Sequence, residues 1–398
     1  MVPNGWEVKS PSKLFKLFSG FAFKSSDAKE SGAKWLKIAN VGIGEIKWDA
    51  DSFLPEHFLL EHKKYLLTKG DIVVALTRPT LGNKLKVARL TKDSDTSLLN
   101  QRVAKIVCKD NVDSEFTFQV LRSDQFAFRI NVGLLGTDPP NLSVKVLEDF
   151  TIPVPPLPEQ RKIAQILSTW DKAIATTEKL IDASKQQKKA LMQQLLTGKK
   201  RLLDPETGKA FEGEWEEVKL GQCSTCLDNK RVPLNSEQRS EMKGTYPYWG
   251  ANGIVDYVNE YIFDESIVLL AEDGGYFDEY ATRPIANISY GKCWVNNHAH
   301  IIKGKKNATN EWLYFSLVHK NILAFINGGT RAKLNKKDML LIKVLLPSVK
   351  EQQKITSVLS NADKETELLK AKLAHLKQEK KALMQQLLTG KRRVSLSS

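Results

Sequence analysis

Two short patterns in this sequence contain residue types that could bind a metal or carry out catalysis. Cys223 and Cys226 are separated by two residues, as in zinc-binding and redox motifs, but no second pair follows at zinc-ribbon spacing. Cys293, His298 and His300 could complete a zinc site only if folding brought them next to this pair. We therefore predict reduced thiols and no bound metal, and a zinc site is the alternative.

The second pattern is Asp138-Pro139-Pro140-Asn141, which is similar to the D-P-P-(Tyr/Phe) motif of adenine methyltransferases. In that motif the aromatic ring stacks on a flipped base, whereas Asn141 has no aromatic face. The sequence also lacks a glycine-rich strand–turn–helix for a methyl donor and a P-loop for ATP. We therefore expect a non-catalytic protein without cofactors. A self-contained methyltransferase or nuclease is the rival hypothesis.

The charge of the chain indicates what kind of partner it binds. Its 398 residues include 60 Lys and Arg against 46 Asp and Glu, which gives a formal net charge of +14. This excess favours nucleic acid or an anionic membrane surface, although it could also serve only solubility. No apolar run approaches the ~20 residues that a membrane span needs, and the N-terminus lacks the apolar core of a signal peptide. We expect a cytoplasmic protein with no membrane partner.

An internal duplication identifies the elements that must position any functional residue. The string KKALMQQLLTGK occurs at residues 188–199 and again at 380–391, an offset of 192 positions (380 minus 188). The same offset aligns EQRKI at 159–163 with EQQKI at 351–355 without a gap. A self-match of this length indicates a repeated structural unit.

Each copy predicts one long helix of about 40 residues, or roughly 60 Å at ~1.5 Å per residue. Apolar residues recur at alternating steps of four and three, which is the seam of a coiled coil. We expect the two helices to pack against each other, and the alternative is that each packs on its own globular domain. The predicted interface residues are Ile163, Leu167, Trp170, Ile174, Ile181, Leu191 and Leu195 in the first helix, and Ile355, Leu359, Leu369, Leu373, Leu376, Leu383 and Leu387 in the second.

The ends of both helices are marked by residues that stop helices. Prolines precede both predicted starts, and Gly198 and Gly390 stand where a C-terminal glycine cap belongs. Lys188 and Lys380 occupy the same seam position in the two copies. A polar seam residue costs stability but can fix the register of a helix pair, and we interpret both lysines in this way.

The segments outside the helices predict two related globular domains. Both contain short β-type runs separated by turn residues, such as residues 71–76 and 266–271. Asn100-Gln101-Arg102 corresponds to Asn296-Asn297-His298, while much of the remaining sequence differs between the two segments. The predicted organisation is a first domain at 1–154, a long helix within 155–201, a second domain at 202–346, and a second long helix with a tail at 347–398.

The predicted fold class is therefore α+β. Two related mixed α/β domains are separated by two long antiparallel helices that form a coiled coil, in a pseudo-two-fold arrangement. A DNA duplex has its own two-fold axes, so an arrangement of this kind suits paired half-sites. Because the two domains differ in sequence, the half-sites should differ as well.

These features resemble the specificity subunits of type I restriction–modification systems. The most specific part is the helix that opens with PLPEQRKI at 156–163 and closes with QQLLTGK at 193–199, and the resemblance covers essentially the whole chain. The strings YWGANGI at 248–254 and NNHAH at 296–300 are similar to motifs of target-recognition domains. The second helix departs from the pattern, since Ser348-Val349-Lys350 replaces Leu-Pro at its start.

The resemblance implies a sequence-specific DNA-binding subunit whose two recognition domains each read one half of an asymmetric bipartite target. It also implies that the helices set the spacer and dock two adenine-N6 methyltransferase subunits, and that a motor–nuclease (restriction) subunit can join for cleavage. The expected partners are therefore double-stranded DNA and these subunits. The third hypothesis is a coiled-coil assembly protein whose globular domains bind protein.

For a sequence reader we expect phosphate contacts from Lys and Arg, and base contacts from Arg, Lys, Asn and Gln. The loop Gly328–Arg331 is the best single candidate, because glycine permits close backbone approach and arginine can bridge guanine O6 and N7. Trp249 is included, with core packing as an equal alternative. The predicted DNA-binding residues are Arg78, Asn83, Lys84, Gln101, Arg102, Arg231, Trp249, Asn252, Arg283, His298, Thr330, Arg331 and Lys333.

Overall fold

The structure is a computed structural model that describes residues 2–49, 52–136, 138–328 and 332–396. The chain divides into two compact units: unit 1 is Met1–Glu178 with Ala371–Ser398, and unit 2 is Lys179–Lys370. Each unit contains one globular domain and a part of each long helix. The unit boundaries therefore fall within the helices.

Short strands and helices make up the domain of unit 1. Its strands are β1 (Glu7–Lys9), β2 (Phe15–Ser19), β3 (Ala33–Leu36), β4 (Phe53–Leu54), β5 (Leu66–Leu67), β6 (Ile72–Ala75), β7 (Thr80–Leu81), β8 (Lys84–Leu85), β9 (Val87–Arg89), β10 (Ser97–Leu99), β11 (Val103–Cys108) and β12 (Ile152–Val154). Its helices are α1 (Phe58–Glu61), α2 (Ser114–Leu121), α3 (Asp124–Gly133) and α4 (Val144–Glu148).

Two four-stranded sheets carry the domain of unit 1. One is antiparallel in the order β2-β11-β6-β9, and the other has the order β4-β3-β10-β5 with a parallel pair β3–β10. All four residues of β6 are buried. Ile72 and Val74 pack with the core beneath the helices, and Val73 and Ala75 pack with the core between the sheets. A strand covered on both faces explains the uninterrupted apolar run IVVA.

The long helices follow the two domains. The first is α5 (Leu157–Leu195), and the domain of unit 2 follows it. The elements of that domain are β13 (Glu216–Lys219), α6 (Leu220–Cys223), β14 (Ser224–Cys226), α7 (Ser236–Glu241), β15 (Lys243–Gly250), β16 (Gly253–Val258), β17 (Phe263–Asp264), β18 (Ile267–Ala271), β19 (Ala286–Ser289), β20 (Lys292–Val295), β21 (Ala299–Gly304), α8 (Asn310–Leu317), β22 (Ile326–Asn327), β23 (Lys333–Leu334), α9 (Lys336–Met339) and β24 (Lys343–Leu346). The second long helix is α10 (Val349–Leu387).

The domain of unit 2 repeats the sheets of unit 1. Its antiparallel sheet has the order β14-β21-β18-β19, and its second sheet has the order β16-β15-β20-β17 with a parallel pair β15–β20. The buried strand β18 alternates between two cores as β6 does: Val268 and Leu270 face one, and Ile267 and Leu269 face the other. The two domains thus share one fold but differ in their amino-acid sequences.

Both long helices contain 39 residues and end as the sequence predicts. Gly198 and Gly390 have φ values of +70° and +73°, the left-handed conformation that a glycine cap supplies. Gly390 lies against Pro3 and Trp6, where an added Cβ would come within 2.6 Å of the proline ring. The glycine therefore serves both the turn and the close approach of the N-terminal segment.

The two helices run antiparallel within each unit. In unit 1, Lys380 Nζ lies 2.6 Å from Asp171 Oδ1, and Lys377 Nζ lies 2.8 Å from Glu178 Oε1. Residue numbers thus rise along α5 while they fall along α10. The helix pairing that the sequence predicts is confirmed.

In unit 2 the same antiparallel pairing recurs. Ser184 Oγ lies 2.9 Å from Thr366 Oγ1, and Lys188 Nζ lies 2.5 Å from Asp363 Oδ1. No helix among the described residues is both long enough and apolar enough to cross a membrane.

The seam residues have two kinds of partner. Ile163 and Leu167 are fully buried in the domain core of unit 1, and Leu387 from the far end of α10 packs into the same core. In unit 2, Leu195 joins Ile355 and Leu359 in the domain core in the same way. Other seam positions, among them Trp170, Ile174 and Leu369, are only partly buried. Helix–helix and helix–domain packing, treated as alternatives above, therefore occur together at the helix ends.

Candidate nucleic-acid interface

A buried glutamate anchors the start of α5 in unit 1. Glu159, whose side chain is 4% exposed, accepts a hydrogen bond from Trp6 Nε1 at 3.1 Å. It also pairs with Arg393, which follows α10. The neighbouring Gln160 accepts from the Asp113 N–H at 2.9 Å and donates to the Pro155 carbonyl at 2.9 Å. The Glu-Gln pair therefore joins the helix start, the N-terminal segment and the segment after α10.

The same anchor recurs in unit 2. Glu351 accepts from Arg201 Nε at 2.6 Å and Nη2 at 2.8 Å, and Trp215 Nε1 lies 3.2 Å away. Gln352 accepts from the Thr309 N–H at 3.0 Å and donates to the Pro347 carbonyl at 2.9 Å. This explains why EQ and the basic residues after each helix are repeated in the sequence.

The seam lysines also have repeated partners, but their surroundings differ. Around Asp171 in unit 1, Gln119 Nε2 donates at 2.8 Å and Arg122 Nη1 at 2.9 Å, in addition to Lys380. In unit 2, Lys188 instead lies over the ring of Phe315, 5.5 Å from its centroid. The Lys–Asp pair is constant, while the domain residue beside it changes from polar to aromatic.

Charge and burial act against each other in the unit 1 cluster. Burial opposes ionisation of Asp171, but Arg122 and Lys380 more than offset it and lower the pKa of this carboxyl. Burial lowers the pKa of Lys380, and Arg122 adds to that effect. Asp171 is therefore the group that keeps the Lys380 ammonium favourable where its side chain is only 8% exposed.

Each unit has a groove between its domain and the C-terminal part of one long helix. The groove of unit 1 has a volume of about 1200 Å³ and that of unit 2 about 690 Å³. In each groove, the C-terminal part of one long helix contributes the same residues of the repeat. They are Lys377, Lys380, Lys381, Met384, Gln385, Leu388 and Thr389 in unit 1, and Lys185, Lys188, Lys189, Met192, Gln193, Leu196 and Thr197 in unit 2.

The domain side of the grooves is not repeated. In unit 1 it includes Arg122, Asp124 and the exposed ring of Phe128. In unit 2 it includes Tyr280 and Phe315. Basic and apolar groups thus line the same helix face in each unit.

Several predicted DNA-binding residues of unit 1 lie together at one edge of the domain. The Arg102 carbonyl accepts from the Leu76 N–H at 2.9 Å, which brings the turn at 100–102 beside the end of β6. Gln101 and Arg102 are exposed, as is Arg78 two residues beyond Leu76. Phe21, 37% exposed, accepts at its carbonyl from the Gln101 N–H, and its ring centroid lies 4.5 Å from that of His62. These residues form a basic and aromatic edge.

A buried ionic cluster occupies the equivalent edge of unit 2. His300 Nδ1 lies 2.6 Å from Asp228 Oδ2 and Nε2 lies 2.8 Å from the Leu334 carbonyl, so both ring nitrogens face acceptors. Arg231 Nη1 lies 2.5 Å from Glu272 Oε2. Burial alone would raise the pKa of Asp228, but the hydrogen bond from His300 and the charge of Arg231 lower it overall.

Among the described residues, no three of the cysteines and histidines considered above come together as metal ligands. Cys226, Asp228 and His300 do come together, with potential ligand atoms within 4.8 Å of one another. However, hydrogen bonds already occupy both nitrogens of His300, and Arg231 supplies the positive charge that balances the carboxylates. Burial raises the pKa of Cys223 to about 11, so this thiol is a poor source of the thiolate that zinc requires.

Comparison with known proteins identifies the family. The family model for the type I restriction modification DNA specificity domain matches residues 3–185 and 212–378, which is most of the chain. The chain belongs to the type I restriction–modification DNA specificity family. The resemblance found in the sequence is thereby confirmed.

Individual members of this specificity family match different shares of the chain. The type I restriction enzyme MjaVIII specificity subunit of Methanocaldococcus jannaschii is 39% identical over 202 residues, which are 50% of this chain and 48% of that protein. The chain therefore matches about half the length of that relative. The putative type I restriction enzyme MjaX specificity subunit of the same organism is 29% identical over 409 aligned residues, 99% of this chain and 95% of that one.

A solved structure supports the fold assignment. The crystal structure of the S subunit of a type I restriction–modification system from M. genitalium superposes with a TM-score of 0.63 at 20% identity, covering 98% of both chains. At that identity the likeness concerns the fold alone. The α+β fold with two long antiparallel helices is that of the specificity family.

The predicted DNA-binding residues of this specificity-family chain fall into three groups. Thr330 and Arg331 lie outside the described residues. Three side chains are held inside the protein or by near neighbours: Arg231 in the ionic cluster, Lys84 by Asp124, and Trp249 by Ser289. The remaining residues are exposed or partly exposed: Arg78, Asn83, Gln101, Arg102, Asn252, Arg283, His298 and Lys333.

Arg231 is the prediction that the geometry disfavours most. Its side chain is 15% exposed and also donates to the Ala299 carbonyl at 2.9 Å, so it stabilises the domain from within. Some partly exposed residues have internal partners as well. Lys333 Nζ lies 3.2 Å from Glu272, and Arg283 lies over the ring of Tyr276.

Sequence reasoning missed the exposed aromatic ring of Phe21 as a surface candidate. The only available signal was its place in the string Ser19-Gly20-Phe21-Ala22-Phe23, which resembles a recognition-domain element. The partners of Asp171 were also missed, because Gln119 and Arg122 lie 52 and 49 positions before it in the chain.

Proposed function

We propose that this chain is the sequence-specific DNA-binding subunit of a type I restriction–modification complex. Each domain reads one half of an asymmetric bipartite target, the helices set the spacer, and two adenine-N6 methyltransferase subunits dock on the chain. A motor–nuclease subunit can join for cleavage. The chain itself is non-catalytic. The segments 1–154 and 202–346 are the proposed recognition modules, and 155–201 and 347–398 carry the helices.

One observation carries this proposal: the C-terminal segment of each long helix is repeated without change, while the middle of each helix has diverged. All 12 residue pairs of 188–199 and 380–391 are identical, but only six of the 24 pairs of 164–187 and 356–379 are. Several identical residues, including Lys189, Gln193 and their counterparts Lys381 and Gln385, are exposed. Folding alone does not require identity at exposed positions. A partner that binds both units in the same way does require identical residues at the exposed positions that it contacts.

The grooves fit such a partner. Each offers lysines above an apolar floor that includes one methionine and one leucine, Met384 and Leu388 in unit 1 and Met192 and Leu196 in unit 2. An acidic amphipathic segment matches this pattern of charge and apolar surface. Two grooves with the same set of helix residues accord with two copies of one methyltransferase subunit.

The exposed edges of the domains fit the DNA-reading role. In unit 1, Arg78, Gln101 and Arg102 share one edge, and these side-chain types make base and phosphate contacts in DNA complexes. In unit 2, His298 occupies the turn that corresponds to Arg102, and Asn252 Nδ2 donates to the carbonyl of Gly274, the counterpart of Arg78. Different side chains at equivalent places support two unlike half-sites.

The first experiment separates the three hypotheses. The purified chain, alone and with its methyltransferase subunit, is tested for methyl transfer and for retention of duplex DNA over a range of salt. We expect no methyl transfer by the chain alone, and sequence-selective, salt-sensitive DNA retention that the methyltransferase strengthens. Robust methylation by the chain alone supports the enzyme hypothesis instead. DNA retention that does not depend on sequence, either for the chain alone or with the methyltransferase, supports a protein-assembly role.

The second experiment tests the spacer. One heptad is inserted into each helix between Asp171 and Lys188, and between Asp363 and Lys380, so that the antiparallel seam keeps its phase. We expect a bipartite target with a changed spacer, or loss of methylation, as read by sequencing of methylated sites. An active complex with an unchanged spacer contradicts the role of the helices as the spacer.

A further inference from the structure

Arg78 has an unusual backbone conformation for its residue type. Its φ is +48°, and among the described residues the only other non-glycine residue with positive φ is Asn111. Asparagine adopts the left-handed region more readily than most residues, whereas arginine has no such tendency. The conformation therefore costs free energy at Arg78, and it persists only because the surrounding structure imposes it.

Unit 2 shows what the fold itself requires at this place. The Leu76 N–H donates to the Arg102 carbonyl at 2.9 Å, and the Leu76 carbonyl accepts from the Leu142 N–H at 2.8 Å. In unit 2, Glu272 makes the same two backbone bonds, with His298 at 2.9 Å and Leu334 at 2.8 Å. Leu76 and Glu272 are thus equivalent residues.

Two residues further on, Arg78 corresponds to Gly274, whose φ is +70°. The fold therefore calls for a left-handed residue after the buried strand in both units. Unit 2 uses glycine, the residue that adopts this conformation without steric cost. Unit 1 uses an arginine at the same place, so the packing of the fold does not account for its side chain.

The backbone of Arg78 is held rigidly. Its N–H donates to the Pro140 carbonyl at 2.8 Å, and the preceding Thr77 donates from Oγ1 to Asn141 Oδ1 at 2.7 Å. The next residue, Pro79, is buried. These contacts fix the Cα atom from which the long side chain projects.

The side chain of Arg78 is exposed, and its guanidinium has no hydrogen bond or ion pair with any other described residue. It stands beside the turn that carries Gln101 and Arg102. A contact with a phosphate would not need a fixed and costly backbone, because a flexible lysine or arginine reaches phosphates from many positions. A bidentate contact with a base does need a fixed origin, since both donors must meet guanine O6 and N7 together.

We propose that Arg78 is a specificity-determining residue that reads a guanine in the half-site of the first recognition domain. This inference rests on the proposed function and deepens it by assigning one residue to base reading. The left-handed backbone aims the guanidinium at the base edge. Gly274 leaves the equivalent place in unit 2 without a side chain, so the second half-site is read by other residues.

The test uses the full chain in complex with its methyltransferase, with three variants. Arg78→Gly relieves the backbone and removes the guanidinium, and Arg78→Lys keeps the charge but loses the bidentate fork. Arg129→Lys, on an exposed position of α3, is the matched control. Methylated sites are sequenced, and binding is measured with duplexes that carry each base pair at every position of the first half-site.

Both Arg78 variants should lose discrimination at one G·C pair of the first half-site by about 5- to 150-fold, while the second half-site stays unchanged. Arg78→Gly should melt at the same or a higher temperature than the wild type, which separates loss of reading from loss of folding. Arg129→Lys should keep the complete motif.

Two outcomes overturn the inference alone. In one, both Arg78 variants keep the full motif and bind all sequences equally more weakly, as expected for a phosphate contact. In the other, Arg78→Gly lowers the melting temperature and leaves the motif intact, as expected for a structural residue. A wild-type complex without any sequence-selective methylation contradicts the proposed function as well.

Discussion

The two junctions between helix and domain share one side and differ on the other. Asp171 and Asp363 each bind a seam lysine from the same position of the repeat. In unit 1 the domain adds Gln119 and Arg122 to this pair. In unit 2 the residue equivalent to Gln119 is Phe315, and desolvation raises the pKa of the neighbouring, partly buried Tyr314 to about 12.

The repeated residues therefore set the helix pairing, while each domain adapts its own surface to it. The same holds at the exposed edges, where unit 2 has the ionic residues Asp228, Glu272 and His300. By the backbone pairing, Leu76 and Ala104 of unit 1 stand in place of Glu272 and His300. The two domains thus attach to the same repeated helices, although the residues in their interiors and at their edges differ.

The largest expected difference between the junctions concerns the aspartates. Asp171→Asn leaves Lys380 buried beside Arg122 without a counter-charge, which should destabilise unit 1 by about 3 kcal/mol. Asp363→Asn affects a pair in which the aspartate is 41% exposed, so the loss should be about 1 kcal/mol or less. Urea unfolding, together with amide hydrogen exchange in α2 and α8, measures both. Equal losses in the two variants would show that the domain residues do not affect the pair.

The glutamate anchors give a smaller contrast. Glu351→Gln should cost about 2 kcal/mol, because Glu351 is 1% exposed and binds Arg201 through two oxygens. Glu159→Gln should cost less, because its partner Arg393 is 48% exposed and water can solvate it. Thermal unfolding of the two variants gives the ranking, and the reverse order would contradict the importance of arginine burial.

How far the sequence predicts these features depends on where the partners lie. The helix limits, the glycine caps and the helix pairing are predictable, because the 192-residue offset repeats short local patterns. The recurrence of Asp171-Lys172 at the same offset as Lys188 also hints at the paired aspartate.

Contacts between distant segments are not predictable in this way. The ionic cluster joins Asp228, Glu272 and His300 from three strands or turns, and no local pattern links them. The same applies to Arg78, whose left-handed backbone is imposed by Pro140 and Asn141 far along the chain. These are also the places where the two domains differ, so the repeat gives no second copy to compare.

The ionic cluster predicts an acid sensitivity specific to the domain of unit 2. Asp228 and Glu272 have pKa values below those of free carboxyls, so they stabilise the folded state at neutral pH. That contribution, about 1 kcal/mol for each pKa shift of one unit, is lost as the pH falls below about 5 and through the folded pKa values. Hydrogen exchange of β18 and β21 between pH 7 and pH 4 measures it, with β6 and β11 as the internal reference.

Asp228→Asn supplies the control for that measurement. It should lower the stability of β18 and β21 at pH 7 and reduce their pH dependence, since one titrating carboxyl is gone. If β18 and β21 of the wild type keep their protection down to pH 4 as well as β6 and β11 do, the cluster does not stabilise this domain.

The smallest effect on folding, but a large one on assembly, is expected in the grooves. Lys189→Glu and Lys381→Glu change exposed residues, so each should alter stability by less than about 0.5 kcal/mol. Each should also weaken the binding of one of two methyltransferase subunits, which native mass spectrometry detects as a shift towards a one-subunit complex. Lys372→Glu, exposed and outside both grooves, is the matched control. Full two-subunit assembly of both groove variants would contradict the proposed docking surface.

The central prediction is that each of the two recognition domains reads its own half-site independently of the other. The most direct test replaces residues 1–154 with the corresponding domain of another family member and sequences the methylated sites in a host that carries the chain with its methyltransferase. We predict a bipartite motif in which the first half changes while the second half and the spacer stay the same. A motif that changes in both halves, or that forms one continuous sequence, would contradict the account.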